Sequence, residues 1–423
     1  MTDYLLEAFF EKERWEKAIE SGVAKGISEK ELRLLSDPET RLLIYRKMKD
    51  GELEVAPPHM AEIPKDDGTM RTVYVCEPID RILLSIANDL LFDQFPEMIH
   101  PSCKSYQHGI GTGKVVQNIS AKITEIAGLS EDVGWKADLS KYFDSVPRAN
   151  IMGLMDTMDM KFGGDSAFIE WLRKLYESDY VFDLEGNLIQ KYQSLKQGVA
   201  TASFFACAML YDIDEKLSQM NGIYVRYSDD MLFVGEDYKE AMAMMRYDLS
   251  VMGLTLNPKK VEAIRSDRWF KFLGFNIKGD KITLSSSRVK KFQKEIEART
   301  IRNRKTTPKK ALNSVNWFLY IGDGTYSWAT SVLPIVNVKE DLDTLTEFVL
   351  DSLRAVKTGK KKIGGLGSVN DLDQCTVLRG RGKNVKANRE KTAKEISGFR
   401  SLSCMRNAML TDRAVYDTLV RQL

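Results

Sequence analysis

Three aspartates in this sequence lie within short apolar stretches, where carboxylates could be held at a reaction centre. Asp138 belongs to the stretch VGWKADL, and Asp229 and Asp230 interrupt GIYVRYSDDMLFVG. The alternating apolar residues on both sides of the Asp-Asp pair predict a β-hairpin that presents two carboxylates at its turn. Two like charges that close together are costly unless a cation offsets them.

Divalent-cation catalysis is the chemistry that such carboxylates could support. Mg²⁺ prefers carboxylate oxygens together with substrate phosphates. Two ions can then assist the attacking and the leaving oxygen of a phosphoryl transfer. An Asp-Asp pair in isolation is more often an ordinary turn, and Asp138 alone could be a strand-end carboxylate. Together they favour a site for two Mg²⁺ ions, with Mn²⁺ as the alternative.

Longer motifs around these aspartates resemble those of reverse transcriptases. DLSKYFDSV, the YSDD hairpin and LKQGVATASFF are similar to the palm motifs of that family, and IPKDDGTMRTVYV resembles its fingers hairpin. GLTLNPKKVE and FKFLGFNI resemble the segments that follow the catalytic hairpin, so the likeness spans about residues 60 to 280. The resemblance implies an RNA-directed DNA polymerase that binds an RNA template and dNTPs and makes DNA.

The resemblance also implies which residues form the catalytic and metal-binding site. The implied metal-site residues are Asp138, Leu139, Asp229 and Asp230. Of these, Asp138 and Asp229 resemble direct ligands, and Asp230 would support the site electrostatically. Lys260, with adjacent Lys259 as the alternative, resembles the residue that protonates the departing pyrophosphate.

A second set of residues resembles the nucleotide-binding site of the family. The set consists of Lys65, Arg71, Phe143, Gln197 and Gly198. Lys65 and Arg71 would grip the triphosphate, which a guanidinium can bind bidentately. The Phe143 ring would clash with a ribose 2′-hydroxyl and so favour deoxynucleotides, while Gly198 allows close backbone approach. The alternatives are solvated hairpin charges for Lys65 and Arg71 and an ordinary core aromatic for Phe143.

Two segments depart from familiar patterns. Many relatives of group II intron proteins have Ser-Pro three residues after Gln-Gly, whereas this chain has Ala202-Ser203 there. We therefore expect the following helix to begin differently. GIGTGK at residues 109–114 lacks the spacing of a phosphate-binding P-loop, and a turn before a fingers helix is the expectation.

The elements that must position these residues predict an α+β fold: a right-hand polymerase with an antiparallel palm sheet and a C-terminal helical thumb. Residues 1–50 show helical periodicity, and Asp67-Gly68 predicts the turn of a hairpin. The expected domains are an N-terminal helical segment at 1–55, fingers at 56–130, a palm at 131–285, and a basic helical thumb with an RNA-binding extension at 286–423.

Charge and cysteine content indicate partners and compartment. The net charge is +2, yet residues 286–310 and 354–391 are strongly basic, which favours contact with a nucleic-acid backbone over a solvated helix face. The five cysteines form no CxxC pair, so we expect packed thiols in a reducing cytoplasm. The sequence contains no apolar run of membrane-spanning length.

The subfamily most similar in organisation is that of bacterial defence-associated reverse transcriptases. Intron-type endonuclease motifs and the short retron motifs are not found in the sequence. The resemblance then implies a companion noncoding RNA as template and a role against bacteriophage in the bacterial cytoplasm. The alternatives are a retron or diversity-generating polymerase without a defence role, and an RNA-binding or template-independent protein on the same fold.

Overall fold

The structure is a computed structural model. It describes residues 3–21, 26–65, 68–106, 111–128, 130–303, 305–323, 327–358 and 398–423. The chain forms two compact units, residues 1–108 with 134–263 and residues 109–133 with 264–423. Helices combine with mostly antiparallel sheets, which confirms the predicted α+β class. The four domains expected from the sequence, with their three boundaries, remain predictions.

Helices and strands alternate through much of the chain. The α-helices are α1 (Tyr4–Phe9), α2 (Lys12–Glu20), α3 (Glu29–Ser36), α4 (Pro38–Lys49), α5 (Pro78–Gln94), α6 (Thr112–Glu125), α7 (Tyr142–Ser145), α8 (Arg148–Lys161), α9 (Ala167–Glu177), α10 (Ala202–Ala208), α11 (Tyr211–Ser218), α12 (Tyr238–Val251), α13 (Ser286–Arg299), α14 (Pro308–Asn316), α15 (Trp328–Val332), α16 (Lys339–Thr358), α17 (Leu402–Thr411) and α18 (Arg413–Arg421). The strands are β1 (His59–Pro64), β2 (Met70–Val75), β3 (Asp132–Asp138), β4 (Tyr180–Phe182), β5 (Leu188–Gln190), β6 (Gly222–Tyr227), β7 (Asp230–Gly235), β8 (Glu262–Arg265), β9 (Phe270–Phe272), β10 (Phe275–Lys278) and β11 (Lys281–Leu284).

The N-terminal helices and the following hairpin confirm two predictions. Ser28 and Glu31 form a capping box at the start of α3, which satisfies backbone donors that the helix leaves unpaired. β1 and β2 pair antiparallel, with Ile63 opposite Arg71. Asp67 of the predicted turn lies outside the described residues, and Gly68 has a φ of 84°. β1 and β2 belong to a four-stranded sheet in the order β2-β1-β4-β5.

A second four-stranded sheet, in the order β6-β7-β3-β8, holds the aspartates. β7 pairs antiparallel with both β6 and β3. Trp135 of β3 lies opposite Phe233 of β7, and their rings stack with centroids 6.0 Å apart. Gly134 permits this close pairing, because a Cβ there would lie 2.2 Å from the Phe233 carbonyl oxygen. The resulting register places Asp138 directly opposite Asp230.

The second unit contains α6, the three-stranded sheet β11-β10-β9 and the C-terminal helices. The Ser120 hydroxyl of α6 donates to the Gly279 carbonyl at 2.7 Å. Helices α13 to α18 confirm the predicted helical C-terminal region. Within the described ranges, no helix is both long enough and apolar enough to cross a membrane.

The cysteines agree only partly with the expectation of packed thiols. Cys76, Cys103 and Cys207 are buried free thiols. Cys404 is exposed, which corrects the expectation. Its backbone N–H donates to the Ser401 hydroxyl in the first turn of α17, and its side chain lies on the solvent side of that helix. Cys375 lies outside the described residues.

Candidate active site

Asp138 lies at the last position of β3 and is only 4% exposed. Its carbonyl accepts the Asn257 N–H at 2.8 Å, and the next residue, Leu139, donates its N–H to the Asp229 carbonyl at 3.2 Å. The end of β3 is therefore hydrogen-bonded on both sides. These backbone bonds fix where the Asp138 carboxylate leaves the sheet.

Asp229 lies in the tight turn between β6 and β7, as the alternating sequence predicts. Tyr227 of β6 pairs with Asp230 of β7, so Ser228 and Asp229 alone form the turn. Ser228 has a φ of 59°, a left-handed conformation that non-glycine residues adopt at a cost. This conformation turns the chain sharply enough to bring Asp229 to the end of β3.

The Asp138 and Asp229 carboxylates meet at this point. The pKa of Asp229 is raised to about 7, first by burial, then by the charge of Asp138 and a hydrogen bond with its carboxyl, and less by Asp230. Two carboxylates in contact cannot both carry full charge cheaply. Their oxygen donors and mutual repulsion fit a divalent cation, which would offset both charges.

Lysines lie beside two of the three carboxylates. The Lys260 ammonium donates to the Asp138 carboxylate. Burial lowers the pKa of Lys260, but the hydrogen bond and charge of Asp138, aided by Asp229 and Asp230, raise it overall. Lys136 Nζ lies 3.8 Å from Asp230 Oδ1. Asp138 and Asp229 therefore share a hydrogen bond, and Asp230 lies near a lysine of its own.

The described residues contain no group of three or more His, Cys, Asp or Glu side chains arranged to hold a metal ion. The donor chemistry fits a cation at the Asp138–Asp229 pair, with Asp230 directed toward Lys136. Leu139 is 2% exposed and its side chain has no donor, so its carbonyl is the part that could bind a cation.

The charges of four lysine and arginine side chains reach the short helix α7, which carries Phe143 of the predicted nucleotide site. Partial desolvation raises the pKa of Asp144 in this helix, and the positive charges of nearby lysine and arginine side chains oppose that rise. These side chains are Lys191, Lys141, Lys65 and Arg71. The structure therefore brings the two predicted fingers cations near the predicted steric gate, and it adds two lysines that the sequence reading missed.

Backbone hydrogen bonds tie the segment that contains Gln197 and Gly198 to Phe143 on one side and to β2 on the other. The Phe143 carbonyl accepts the Leu195 N–H at 3.1 Å, and the Gln197 carbonyl accepts the Tyr74 N–H at 2.7 Å. Gly198 has a φ of 107°, and a Cβ there would lie 2.9 Å from the Tyr74 carbonyl oxygen. Both the conformation and the contact require glycine.

A cavity of about 360 Å³ opens beside Gly198. Its walls are mostly apolar and include Ile63, Val73, Val75 and Leu84. Arg81 also lines it, and the Nε of Arg81 is buried with no hydrogen-bond partner among the described residues. The cavity thus combines apolar walls with one cationic group.

Buried Lys196 supports the Gln197-Gly198 loop. It is 1% exposed, and its ammonium donates to the Ser178 carbonyl at 2.7 Å and to Gln193 Oε1 at 2.9 Å. Burial lowers its pKa to about 8. The motif resemblance indicates the Gln-Gly pair, but no sequence signal indicates this lysine. The helix after the glycine is the short α10, which begins at Ala202.

A buried ion pair beneath the Asp229 turn was also missed. Arg226 and Asp214 are both 0% exposed, with Arg226 Nη2 lying 2.5 Å from Asp214 Oδ2. A sequence signal existed, because Arg226 is a charge at an inward position of an otherwise apolar strand. Its acidic partner lies in a different element and could not be assigned from spacing.

The family model described as reverse transcriptase (RNA-dependent DNA polymerase) matches residues 63–277, more than half of the chain. The chain therefore belongs to the reverse transcriptase family, and this region is an RNA-directed DNA polymerase domain. The family predicted from the palm and fingers motifs is confirmed.

Two curated relatives are an intron protein and a retron reverse transcriptase. The chain is 23% identical over 326 residues to the putative COX1/OXI3 intron 1 protein of Saccharomyces cerevisiae, a match that covers 62% of this chain and 37% of that protein. It is 22% identical over 249 residues to the retron Ec48 reverse transcriptase of Escherichia coli, with 56% of each chain covered. The chain thus spans little more than half of one relative and less of the other.

Solved telomerase structures are also similar. Apo telomerase from Candida tropicalis, truncated from its C-terminal domain, matches with a TM-score of 0.42 and 14% identity over 55% of this chain and 56% of that one. Telomerase from Candida albicans in complex with a TWJ fragment of telomeric RNA matches with a TM-score of 0.46 and 12% identity, covering 89% of this chain and 63% of that one.

Proposed function

We propose that this protein synthesises DNA on an RNA template by a two-metal mechanism. The observation that carries the proposal is the contact between two carboxylates from separate elements. Asp138 at the end of β3 meets Asp229 at the turn between β6 and β7, within the region that matches the family. A carboxylate pair of this kind, at the edge of a palm sheet, suits the binding of cations that also bind phosphate oxygens.

Each residue of this centre has a proposed role. When bound, two Mg²⁺ ions, or Mn²⁺ in their place, would activate the primer 3′-hydroxyl and stabilise the leaving pyrophosphate. Asp138 and Asp229 would hold the ions, the carbonyl of Leu139 would supply a further oxygen, and Asp230 would add negative charge from the next position. Lys260, which reaches Asp138 and is 59% exposed at its side chain, donates a proton to the departing pyrophosphate.

The incoming dNTP lies between the fingers hairpin and α7 in this proposal. Lys65 and Arg71 bind its triphosphate, because their charges reach the same helix that carries Phe143. The Phe143 ring excludes a ribose 2′-hydroxyl. Gln197 and Gly198 pack beneath the nucleotide, and the apolar cavity beside Gly198 suits the face of a nucleobase.

The C-terminal region would bind a companion noncoding RNA. Exposed cations lie along α13, the following loop and the start of α14, and they include Lys290, Lys291, Lys294, Lys305, Lys309 and Lys310. Arg354 begins the second basic stretch but is buried and pairs with Asp351 at 2.5 Å, so it does not join this surface. Residues 359–391 of that stretch lie outside the described residues.

The biological role we propose is defence against bacteriophage in the bacterial cytoplasm, with the noncoding RNA as template and DNA as product. Its basis is the resemblance in organisation to compact defence-associated enzymes. Buried free thiols at Cys76, Cys103 and Cys207 suit a reducing compartment. The second candidate is a retron polymerase without a defence role, which the 22% identity to retron Ec48 reverse transcriptase favours.

Sequencing the nucleic acid that copurifies with the protein tests these roles. We expect one noncoding RNA together with complementary DNA, and we expect the DNA to disappear from the Asp229→Ala/Asp230→Ala variant while the RNA remains. Complementary DNA in that variant would refute the mechanism. DNA covalently joined to its template RNA would favour the retron candidate, and phage plating with wild type and variant would test defence.

A further inference from the structure

The turn residue that precedes Asp229 has both of its backbone groups bound by buried side chains. The Ser228 N–H donates to Ser105 Oγ at 3.0 Å, and the Ser228 carbonyl accepts from Arg226 Nη1 at 3.2 Å. Ser105 and Arg226 are both 0% exposed. Ser228 has a left-handed φ of 59°, which carries a conformational cost. Its backbone groups are bonded by side chains and not by the neighbouring strand.

The guanidinium of Arg226 is fully used in this arrangement. Nε and Nη2 donate to the Asp214 carboxylate, Nη2 also donates to the Cys207 carbonyl at 2.7 Å, and Nη1 donates to the Ala206 and Ser228 carbonyls. All five N–H groups therefore have partners, and the planar group cannot rotate without losing several of them. Two of the carbonyls belong to the last turn of α10, where a cation is favourable.

The other partner, Ser105, is fixed as firmly. Its hydroxyl lies 3.3 Å from Cys103 Sγ and 3.5 Å from Cys207 Sγ. The backbone around it runs beside β6, because Arg226 donates its N–H to the Ser102 carbonyl at 2.9 Å and accepts the Lys104 N–H at 2.8 Å. Both bonds to Ser228 therefore come from groups that are themselves immobilised.

We infer that Ser105 and Arg226 are positioning residues that hold the Ser228–Asp229 turn and thereby place the Asp229 carboxylate against Asp138. Neither side chain touches a reacting atom in this role. Both act through the backbone of Ser228. Asp214 neutralises and orients Arg226, and the Tyr224 hydroxyl donates to Asp214 Oδ1 at 2.9 Å. The inference rests on the proposed metal-binding role of Asp229.

Two variants separate positioning from folding. Ser105→Ala removes one bond to Ser228. Ser120→Ala is its matched control, because Ser120 is also a buried serine whose hydroxyl bonds to the backbone, in this case by donating to the Gly279 carbonyl. The triple variant Tyr224→Phe/Asp214→Leu/Arg226→Met removes the buried charges together with the hydroxyl that depends on them, which such apolar replacements can do without loss of folding.

Primer extension on an RNA template, with the Mg²⁺ and dNTP concentrations varied separately, is the measurement, accompanied by thermal melting. Small displacements of a catalytic group cost up to about 100-fold in rate, so we expect about a 10-fold loss of kcat for Ser105→Ala and more for the triple variant. The Mg²⁺ concentration for half-maximal rate should rise several-fold and the KM for dNTP should stay within about twofold. Ser120→Ala should match wild type in all three quantities.

The inference is overturned if Ser105→Ala behaves as Ser120→Ala does in kcat and Mg²⁺ requirement. It is equally overturned if a folded triple variant keeps both at wild-type values. If the triple variant does not fold, Ser105→Ala decides. Asp229→Asn distinguishes a failure of the proposed metal-binding role from a failure of the positioning role. An active Asp229→Asn enzyme refutes metal binding by Asp229. An inactive Asp229→Asn enzyme together with an unaffected Ser105→Ala enzyme refutes only the positioning role.

Discussion

The two hairpins of the first unit, β1–β2 and β6–β7, place their charged residues in opposite ways. In β1–β2, Lys65 and Arg71 are exposed, and the neighbouring positions of β1 are also largely open to solvent. In β6–β7 most strand residues are buried, including five of the six in β7. One hairpin presents cations to solvent, and the other holds carboxylates at the edge of a core.

The difference suits the ligand that we propose for each kind of charge. A cation that grips a triphosphate can be solvated until the ligand arrives, since the phosphate brings its own charge. Carboxylates that share a cation must be held close together beforehand, against their repulsion. That requires burial and fixed backbone, which the bonds to Ser228 and the Arg226–Asp214 pair provide. Substitutions in the two hairpins should therefore fail in different ways.

The largest effect is expected at the catalytic turn, and it should differ between its two aspartates. Asp229→Asn should reduce primer extension by at least about 1,000-fold, about 4 kcal/mol of transition-state stabilisation, because a neutral amide cannot offset a divalent cation. Asp230→Asn should lose less, since its carboxylate is 41% exposed and lies toward Lys136. Equal losses would contradict the different roles given to the two residues.

The next effect concerns stability. Arg226→Met leaves the carboxylate of Asp214 buried without its partner, which costs about 3–5 kcal/mol. Chemical denaturation should show this loss as a lower midpoint with an unchanged slope. Arg71→Met is the matched control, because it removes an exposed arginine from the other hairpin and should change stability by less than about 0.5 kcal/mol. A similar loss of stability in Arg226→Met and Arg71→Met would contradict the proposed difference between the buried and the exposed hairpin.

The fold class and the hairpin turn that carries Asp229 could be predicted because their signals are local. Alternation around Asp229 and Asp230 specified a hairpin, and the Asp67-Gly68 turn specified another. The pairing of Arg226 with Asp214 and the contact of Ser105 with Ser228 join elements far apart in the chain. Such contacts depend on tertiary packing, which the periodicity of one segment does not encode.

The same limit applies to the surroundings of the nucleotide site. The resemblance supplied Gln197 and Gly198, and the positive φ of Gly198 gives a physical reason for the glycine. Nothing in the sequence marks Lys196 as buried, yet it is 1% exposed and donates to two oxygen acceptors. Burial of a lysine is rare enough that sequence alone would predict exposure.

A third prediction concerns Phe143, the proposed steric gate. The charges of Lys65 and Arg71 from the exposed hairpin reach its neighbour Asp144. Phe143→Ala should lower the preference for dNTP over NTP by about 100-fold, about 2–3 kcal/mol, since the steric barrier to the 2′-hydroxyl is lost. Extension of one primer with each nucleotide type measures this ratio. Phe143→Tyr is the control that keeps the ring. Unchanged selectivity in Phe143→Ala would mean that Phe143 is an ordinary core aromatic and not a steric gate.

The smallest effect is expected for the exposed hairpin. Lys65→Ala and Arg71→Ala each remove a charged hydrogen bond to the triphosphate, worth about 1.5 kcal/mol at an exposed site, so the KM for dNTP should rise about 10-fold. Melting should be unchanged, because neither side chain is part of the core. Glu62→Ala in β1, an exposed acidic residue opposite Thr72, is the control for altering this hairpin. A fall in kcat at unchanged KM would mean that the hairpin cations act on the chemical step. The two hairpins would then share a function despite their different burial.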